Sequence, residues 1–174
     1  LPLLDADRAK ALKALAPAAP SDRDRAQCLH RTFEAQARAR PNAIALSDGD
    51  VRLTYGELNA RANRLAHYLL RHGVEAQTPI AICLPRSWRM LVAMLAVVKA
   101  GCAYVPIAPE APVERNAFIL EDSRAALLVT AGDIADGLKR VCPGVVELEA
   151  EDDAIGGCPA SNPDMPVSVD QLLY

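Results

Sequence analysis

The sequence lacks most of the patterns that identify a chemistry. Aromatic residues account for only 4% of its 174 residues, so the core must consist mainly of alanine, valine, leucine and isoleucine. Neither glycine-rich phosphate-binding pattern, GxGxxG or GxxxxGKS/T, occurs, and the GxSxG pattern of serine hydrolases is also absent. These absences exclude the common nucleotide-binding and hydrolase fingerprints.

Cysteine and histidine are too few and too scattered to indicate a metal site. The five cysteines are an odd number without CxxC spacing, which favours reduced, buried thiols in a cytoplasmic protein over a disulfide framework. The three histidines have no partners at ligand spacing. The residues concerned are Cys28, Cys83, Cys102, Cys142, Cys158, His30, His67 and His72.

Charge and hydropathy exclude two further classes of partner. The net charge of −3 gives no electrostatic reason to expect nucleic acid. The best apolar helical stretch, Met90 to Val98, is far too short to cross a membrane. With 51% hydrophobic residues, the chain is long enough and apolar enough to form one globular domain.

Short apolar segments alternate with helical patterns along most of the chain. This order predicts an α/β fold with a doubly wound, mainly parallel sheet and helices on both faces. The dipeptide Asp48-Gly49 predicts a hairpin before the first crossover. The predicted helices cover residues 29–39, 55–72, 88–99, 113–121 and 133–139, and the predicted strands cover 79–84, 103–105, 125–129, 145–148 and the residues from 167 onward.

Three groups of polar residues are interpreted as structural. Ser87 is the predicted cap of the helix that follows it. Trp88, with Arg86 and Arg89, is expected to cover the sheet from the first helical turn rather than to act as a stacking platform. The Asp152-Asp153 pair is expected to be solvated rather than to bind a metal. Residue chemistry alone thus indicates a parallel α/β module without an active site of its own.

Two stretches, taken together, carry a family resemblance. The segments LTYGEL (53–58) and KAGCAYVPIAP (99–109) resemble, in the right order, the first two core motifs of the adenylation domain of nonribosomal peptide synthetases. The flanking segments FEAQARARP, ELNARANRLAHYLL and PVERNAFILEDSRAALLVT are also similar to that family. The motif residues are Leu53, Thr54, Tyr55, Glu57, Leu58, Lys99, Ala100, Gly101, Ala103, Tyr104, Val105, Pro106 and Pro109.

Physical reasoning gives both motifs a structural role. Thr54 and Glu57 are spaced as a capping box at the start of a helix. Lys99 is interpreted as a last-turn cation on the helix dipole, and Gly101 as the left-handed exit from that helix. The residues after Gly101, including Tyr104, are expected in the sheet core, and the prolines that follow are expected to end the strand.

The resemblance implies an activity for a parent protein. An adenylation domain activates an amino acid with ATP and Mg²⁺ to an aminoacyl-adenylate and pyrophosphate, then loads it on the phosphopantetheine thiol of a carrier domain in secondary-metabolite biosynthesis. The catalytic, cofactor-binding and metal-binding residues of the family lie in later motifs, so none is carried over, and the chain alone is expected to be inactive scaffold. The implied partners are the remainder of the adenylation domain, an upstream condensation or epimerisation domain, a downstream carrier domain and an MbtH-like protein.

The resemblance also implies a domain organisation. Residues 1–27 are similar to the linker after a condensation or epimerisation domain, and residues 28–174 to the N-terminal portion of an adenylation domain, stopping before the phosphate loop. That stop is expected to reflect a shortened or partly ordered piece, or else a domain interrupted by an inserted one such as a methyltransferase. Two other classes stay open: an acyl-CoA or aryl-acid ligase of the same superfamily, and a non-catalytic α/β interaction module.

Three positions depart from the family's usual pattern. The family usually has Asp where this chain has Ala108, an aromatic residue where it has Ala111, and Leu where it has Asn116. Because an aspartate at position 108 would order the loop after the second motif, we expect an altered loop here.

Overall fold

The computed structural model describes residues 28–132, 137–168 and 171–174. The predicted linker, residues 1–27, lies outside the described residues. The elements, in chain order, are α1 (Leu29–Ala39), β1 (Ile44–Asp48), β2 (Val51–Thr54), α2 (Tyr55–Arg71), β3 (Pro79–Cys83), α3 (Trp88–Lys99), β4 (Ala103–Ile107), α4 (Val113–Ser123), β5 (Leu127–Thr130), β6 (Gly144–Glu147) and α5 (Asp152–Gly156).

Four parallel strands form the central sheet in the order β4-β3-β5-β6. After β3 the chain crosses through α3 to β4 on one side, and then through α4 to β5 on the other side. This reversal of direction is the mark of a doubly wound sheet. The predicted α/β fold with a mainly parallel sheet is therefore confirmed.

The central strand β3 shows why both faces of the sheet are covered. Ile80 and Ile82 belong to the core cluster that includes residues of α2 and α3. Ala81 and Cys83 belong to a second cluster, which includes Leu120 of α4. Because alternate residues of a strand face opposite sides, a strand covered on both faces needs the continuous apolar run that the sequence shows.

A separate antiparallel hairpin, β1–β2, precedes α2 as predicted. Its turn contains Gly49 at a positive φ of 56°, which a residue without Cβ adopts at little cost. The Asp48 carboxylate accepts the backbone N–H of Trp88 at 2.9 Å, so the hairpin caps the start of α3. Ser87 holds the predicted N-cap position, but its hydroxyl donates to the carbonyl of Pro85 instead of capping the helix.

The predicted capping box of α2 is present. Thr54 Oγ1 accepts the N–H of Glu57 at 3.2 Å, and Glu57 Oε2 accepts the N–H of Thr54 at 2.8 Å. The bond from the Thr54 N–H lowers the pKa of Glu57, because it favours the ionised carboxylate. Beyond the other end of α2, Gly73 has a φ of 76° and takes the chain out of the helix.

Strand β4 runs further than predicted, through Pro106 to Ile107. The N–H of Tyr104 donates to the carbonyl of Leu173 at 3.1 Å, on the side away from β3. Alternate residues direct their N–H groups to the same side, so Pro106 lacks an N–H only on that outer side and no bond to β3 is lost. The expectation that the prolines end the strand is therefore wrong for Pro106.

Two other predicted elements differ from the structure. Residues 167–168 and 171–174 form no strand, although the Leu173 carbonyl contacts β4. Of the predicted helix 133–139, residues 133–136 lie outside the described residues and the remaining ones form turns. The short helix α5 is an addition to the predicted elements, whereas the other predicted helices and strands are confirmed with small shifts at their ends.

Replacing Thr54 with alanine should lower the free energy of unfolding by about 1 kcal/mol, because the N–H of Glu57 loses its capping acceptor. Thr54→Ser keeps the hydroxyl and should retain most of that stability. Urea denaturation of both variants measures the difference. An equal loss from the two would assign the effect to the packing of the threonine methyl group and contradict the capping role.

Candidate functional site

A buried polar cluster joins three helices to the segment around residue 162. It consists of Glu34 from α1, Asn59 and Asn63 from α2, Lys99 from α3, and Asn162. The side chain of Lys99 is 0% exposed and that of Glu34 is 5% exposed. Charges so far from water require partners, because their desolvation is costly.

Lys99 makes the central contacts of this buried polar cluster. Its Nζ donates to Glu34 Oε1 at 2.6 Å and to Asn162 Oδ1 at 3.3 Å. The same Asn162 oxygen accepts from the side-chain amides of Asn59 at 3.0 Å and Asn63 at 2.9 Å. One amide oxygen thereby gathers donors from two helices.

Burial and pairing act on Lys99 in opposite directions. Desolvation lowers the pKa of its ammonium group, and the hydrogen bond to Glu34 counters that effect. The second oxygen of Glu34 accepts from Arg31 Nη1 at 3.3 Å. Both oxygens of the Glu34 carboxylate are therefore paired with cations, which satisfies the buried charges.

From the sequence, Lys99 is interpreted as a cation that interacts with the dipole of its helix, and the contact with Glu34 is not predicted. Lys99 does lie in the last turn of α3. Its ammonium group, however, turns into the interior and pairs with Glu34, 65 positions away in sequence. Gly101, at a φ of 75°, is the left-handed exit that the sequence predicts. A local pattern could show the helix end but not the distant carboxylate.

The other motif residues lie in the core or beside it. Tyr104 and Val105, expected in the core, are only half-buried because β4 is an edge strand. The Tyr104 ring stacks on that of Tyr174 with 5.9 Å between centroids. The Tyr55 ring is tilted against that of Phe33 at 5.8 Å. The fully buried motif residues are Leu53, Leu58, Lys99, Ala100, Gly101 and Ala103.

The three departures from the family pattern meet at one carbonyl group. The Ala108 oxygen accepts the side-chain amide of Asn116 at 2.9 Å and the backbone N–H of Ala111 at 3.1 Å. Asn116 is 3% exposed, so this bond ties the loop after β4 to a buried position of α4. The Asn116 side chain on α4 thus holds the loop in place. In the sequence, the departures at Asn116 and Ala108 show no connection to each other.

A cavity of about 660 Å³ opens between α2, the start of α3 and residues 148–156, and we call it the arginine cavity. The half-buried indole ring of Trp88 lines it and packs against the core. The guanidinium groups of Arg61 and Arg89 lie 5.1 and 4.8 Å from the centroid of that ring. Trp88 therefore packs against the core as expected. Its ring also stacks with two guanidinium groups, contrary to the expectation from the sequence, and the second cation is Arg61 rather than Arg86.

The cysteines are free thiols, as expected. Four of them are buried and Cys28 is half-buried. Burial raises the pKa of Cys83 and that of Cys102 to about 11. Near neutral pH these two side chains are therefore protonated and behave as small apolar groups.

The remaining residues considered in the sequence lie at the surface or on helix flanks. His67 Nε2 lies 3.0 Å from the carbonyl oxygen of Ser161, and His72 caps the end of α2. Asp152 and Asp153 are exposed in the first turn of α5.

Across the described ranges, no set of three His, Cys, Asp or Glu side chains is grouped as metal ligands. No helix in those ranges has both the length and the apolar character that crossing a membrane requires.

Comparison with known proteins identifies the family. A model of the family described as AMP-binding enzyme matches residues 33–169, so the chain belongs to that family. The chain is 44% identical over 147 residues to a linear gramicidin synthase of Brevibacillus parabrevis, covering 84% of this chain and 2% of that protein. It is 53% identical over 104 residues to malpibaldin synthetase of Mortierella alpina, covering 60% of this chain and 2% of that protein.

Solved structures share the fold. A nonribosomal peptide synthetase, FmoA3, in its AMPPNP-bound form superposes with a TM-score of 0.78 at 28% identity, covering 95% of this chain and 17% of that one. The anthranilate CoA ligase AuaEII in complex with anthranoyl-AMP superposes with a TM-score of 0.75 at 18% identity, covering 82% and 30%. The second likeness shows the fold alone.

Lys99→Met should lower the free energy of unfolding by about 3–5 kcal/mol, because it leaves the Glu34 carboxylate buried without its ammonium partner. The double variant Lys99→Met/Glu34→Leu removes both charges and should recover a large part of that loss. Urea denaturation of the single and double variants measures the coupling.

The surface pair Lys139–Glu147 provides a matched control for Lys99→Met. Its two atoms are 2.7 Å apart, but its side chains are 40% and 28% exposed. Because solvent screens this pair, Lys139→Met should cost less than about 1 kcal/mol. Equal losses from Lys99→Met and Lys139→Met would contradict the importance of burial.

Stability should fall as the pH drops below about 6.5, because burial lowers the pKa of His30 in the folded state from that ordinary value. The neighbouring Arg31 and Lys99 lower it further, and Glu34 opposes them. Below pH 6.5 the imidazole of His30 binds a proton in the unfolded chain but not in the folded chain. This difference ends once the pH falls below the folded-state pKa. His30→Leu should flatten the slope of unfolding free energy against pH, whereas the exposed control His72→Gln should keep it. A slope unchanged by His30→Leu would contradict the assignment.

Proposed function

We propose that this chain is part of the adenylation domain of a nonribosomal peptide synthetase. The parent protein would activate an amino acid with ATP and Mg²⁺ to an aminoacyl-adenylate and pyrophosphate. It would then transfer the aminoacyl group to the phosphopantetheine thiol of a carrier domain. The chain spans 2% of the length of the gramicidin synthase, so this activity belongs to a much longer protein.

The 44% identity over 84% of this chain to a peptide synthetase is the observation that carries the proposal. Bacitracin synthase 3 of Bacillus licheniformis, at 42% identity over 148 residues, supports the same class. The match extends on both sides of the two motifs, so it does not depend on them alone. Identity over such a length supports the same class of enzyme, which a likeness of fold alone would not.

Within the adenylation domain, this chain would serve as scaffold. The buried polar cluster ties α1, α2 and α3 together, and the hairpin caps α3 through Asp48. We assign Thr54, Glu57 and Lys99 to this structural role rather than to substrate contact. No catalytic, cofactor-binding or metal-binding residue is assigned to the chain.

The domain boundaries and partners follow from the same proposal. Residues 1–27 would be the linker after a condensation or epimerisation domain, and residues 28–174 the N-terminal portion of the adenylation domain. A downstream carrier domain and an MbtH-like protein would be further partners, in the cytoplasm. The lengths of the relatives support a multidomain parent.

An acyl-CoA or aryl-acid ligase is the second candidate, and the superposition with the anthranilate CoA ligase is compatible with it through the shared fold. The TM-score of the CoA ligase, 0.75, is close to the 0.78 of the peptide synthetase FmoA3. The sequence identity to this chain is 18% for the ligase and 28% for the peptide synthetase. The peptide synthetase class is therefore favoured by sequence, whereas the fold does not discriminate.

Amino-acid-dependent exchange of ATP with labelled pyrophosphate tests the proposal. The 174-residue chain should give no exchange above background, because no activating residue is assigned to it. The complete parent protein should give exchange with an amino acid and not with aryl or fatty acids. Exchange by the parent only with aryl or fatty acids would establish the second candidate, and exchange by the short chain alone would overturn the scaffold role.

A further inference from the structure

The arginine cavity has three walls of different character. Helix α2 contributes Arg61 and Arg64, and the first turn of α3 contributes Trp88 and Arg89. The third wall comes from residues 148–156 and includes Asp152. The volume of the cavity, about 660 Å³, lies within the range of small-molecule binding sites.

Two of the three arginines of this cavity, Arg61 and Arg89, are held against a ring before any ligand arrives. The backbone N–H of Trp88 is bonded to Asp48, which fixes the start of α3. The Trp88 ring in turn supports the guanidinium groups of Arg61 and Arg89 at about 5 Å. Ordering these long side chains in advance lowers the entropic cost of binding an anion.

Three carboxylates line the cavity together with three arginines, and two of these carboxylates accept backbone N–H groups. Glu57 accepts the N–H of Thr54 in the capping box, and Glu149 accepts the N–H of Gly132. Glu149 also lies 3.7 Å from Arg89. Among the described residues, neither Arg61 nor Arg64 has a carboxylate within ion-pair distance. The charge of Arg61 contributes to the lowered pKa of Glu57, but neither guanidinium group is in direct contact with a carboxylate.

The floor of the cavity is apolar. Four aliphatic residues line it, and two of them, Leu65 and Val92, are buried parts of the core. The other two, Leu148 and Ile155, are half-buried and pack against the same core. An uncharged floor beside two unpaired guanidinium groups matches a molecule with one anionic and one apolar end.

We propose that the arginine cavity binds a small organic carboxylate with an apolar body. The carboxylate would accept hydrogen bonds from Arg61 and Arg64, and the body would cover Leu65, Val92, Leu148 and Ile155. The site shares no residue with the buried polar cluster and does not depend on the proposed adenylation activity.

Titration of the 174-residue chain with octanoate tests this proposal. Trp88 is the chain's only tryptophan, so a saturable change in its fluorescence reports occupation of the cavity. Isothermal calorimetry on the same samples gives an affinity that does not depend on the indole signal. Octanol, which has the same body without the charge, should bind at least about tenfold more weakly.

Variants separate the cavity from the general positive charge of the surface. Arg61→Ala/Arg64→Ala should weaken octanoate binding by at least about tenfold. Arg71→Ala, at an exposed position of the same helix, should leave it unchanged. Arg64→Gln alone keeps the Arg61–Trp88 contact and serves if the double variant fails to fold. Absence of octanoate binding, equal binding of octanol, or an equal effect of Arg71→Ala would overturn the proposal.

Discussion

The contact on which most of this structure depends is the buried ion pair between Lys99 and Glu34. It places a cation from the end of α3 against a carboxylate from α1 at 2.6 Å. Asn162 and two asparagines of α2 complete the surroundings of that cation. Such a pair contributes little net stability over apolar packing, but breaking one partner leaves a charge in the interior. It therefore constrains which arrangement of the helices is allowed.

This constraint gives a physical reason why distant segments of the chain match one family together. The second motif supplies Lys99, the segment FEAQ supplies Glu34, and the segment ELNARAN supplies Asn59 and Asn63. Each side chain completes the hydrogen bonding of another, so a change at one position leaves a buried group unsatisfied. The cluster thus joins the second motif in space to the segment that follows the first motif.

Local signals in the sequence predict the elements well, and distant contacts explain what they miss. The capping box of Thr54 and the helix ends at Gly73 and Gly101 depend only on residues close by in the sequence. The spacing of those residues is therefore sufficient to predict them. The partner of Lys99 and the cap that Asp48 gives to α3 come from 65 and 40 positions away, and no local pattern contains them. The predicted strand β4 is too short because a proline ends a strand only where its N–H is needed.

The arginine cavity and the buried polar cluster show how similar residue types acquire different roles. In the cluster, the charges of Lys99 and Glu34 are matched and removed from water, which favours one packing of the helices. In the cavity, Arg61 and Arg64 stay near water without such a partner, beside an apolar floor. A matched and buried pair has no capacity left for a ligand, whereas a guanidinium group without a direct carboxylate contact does. Burial and pairing, rather than residue type, are therefore the features on which the proposed scaffold role and the proposed binding site differ.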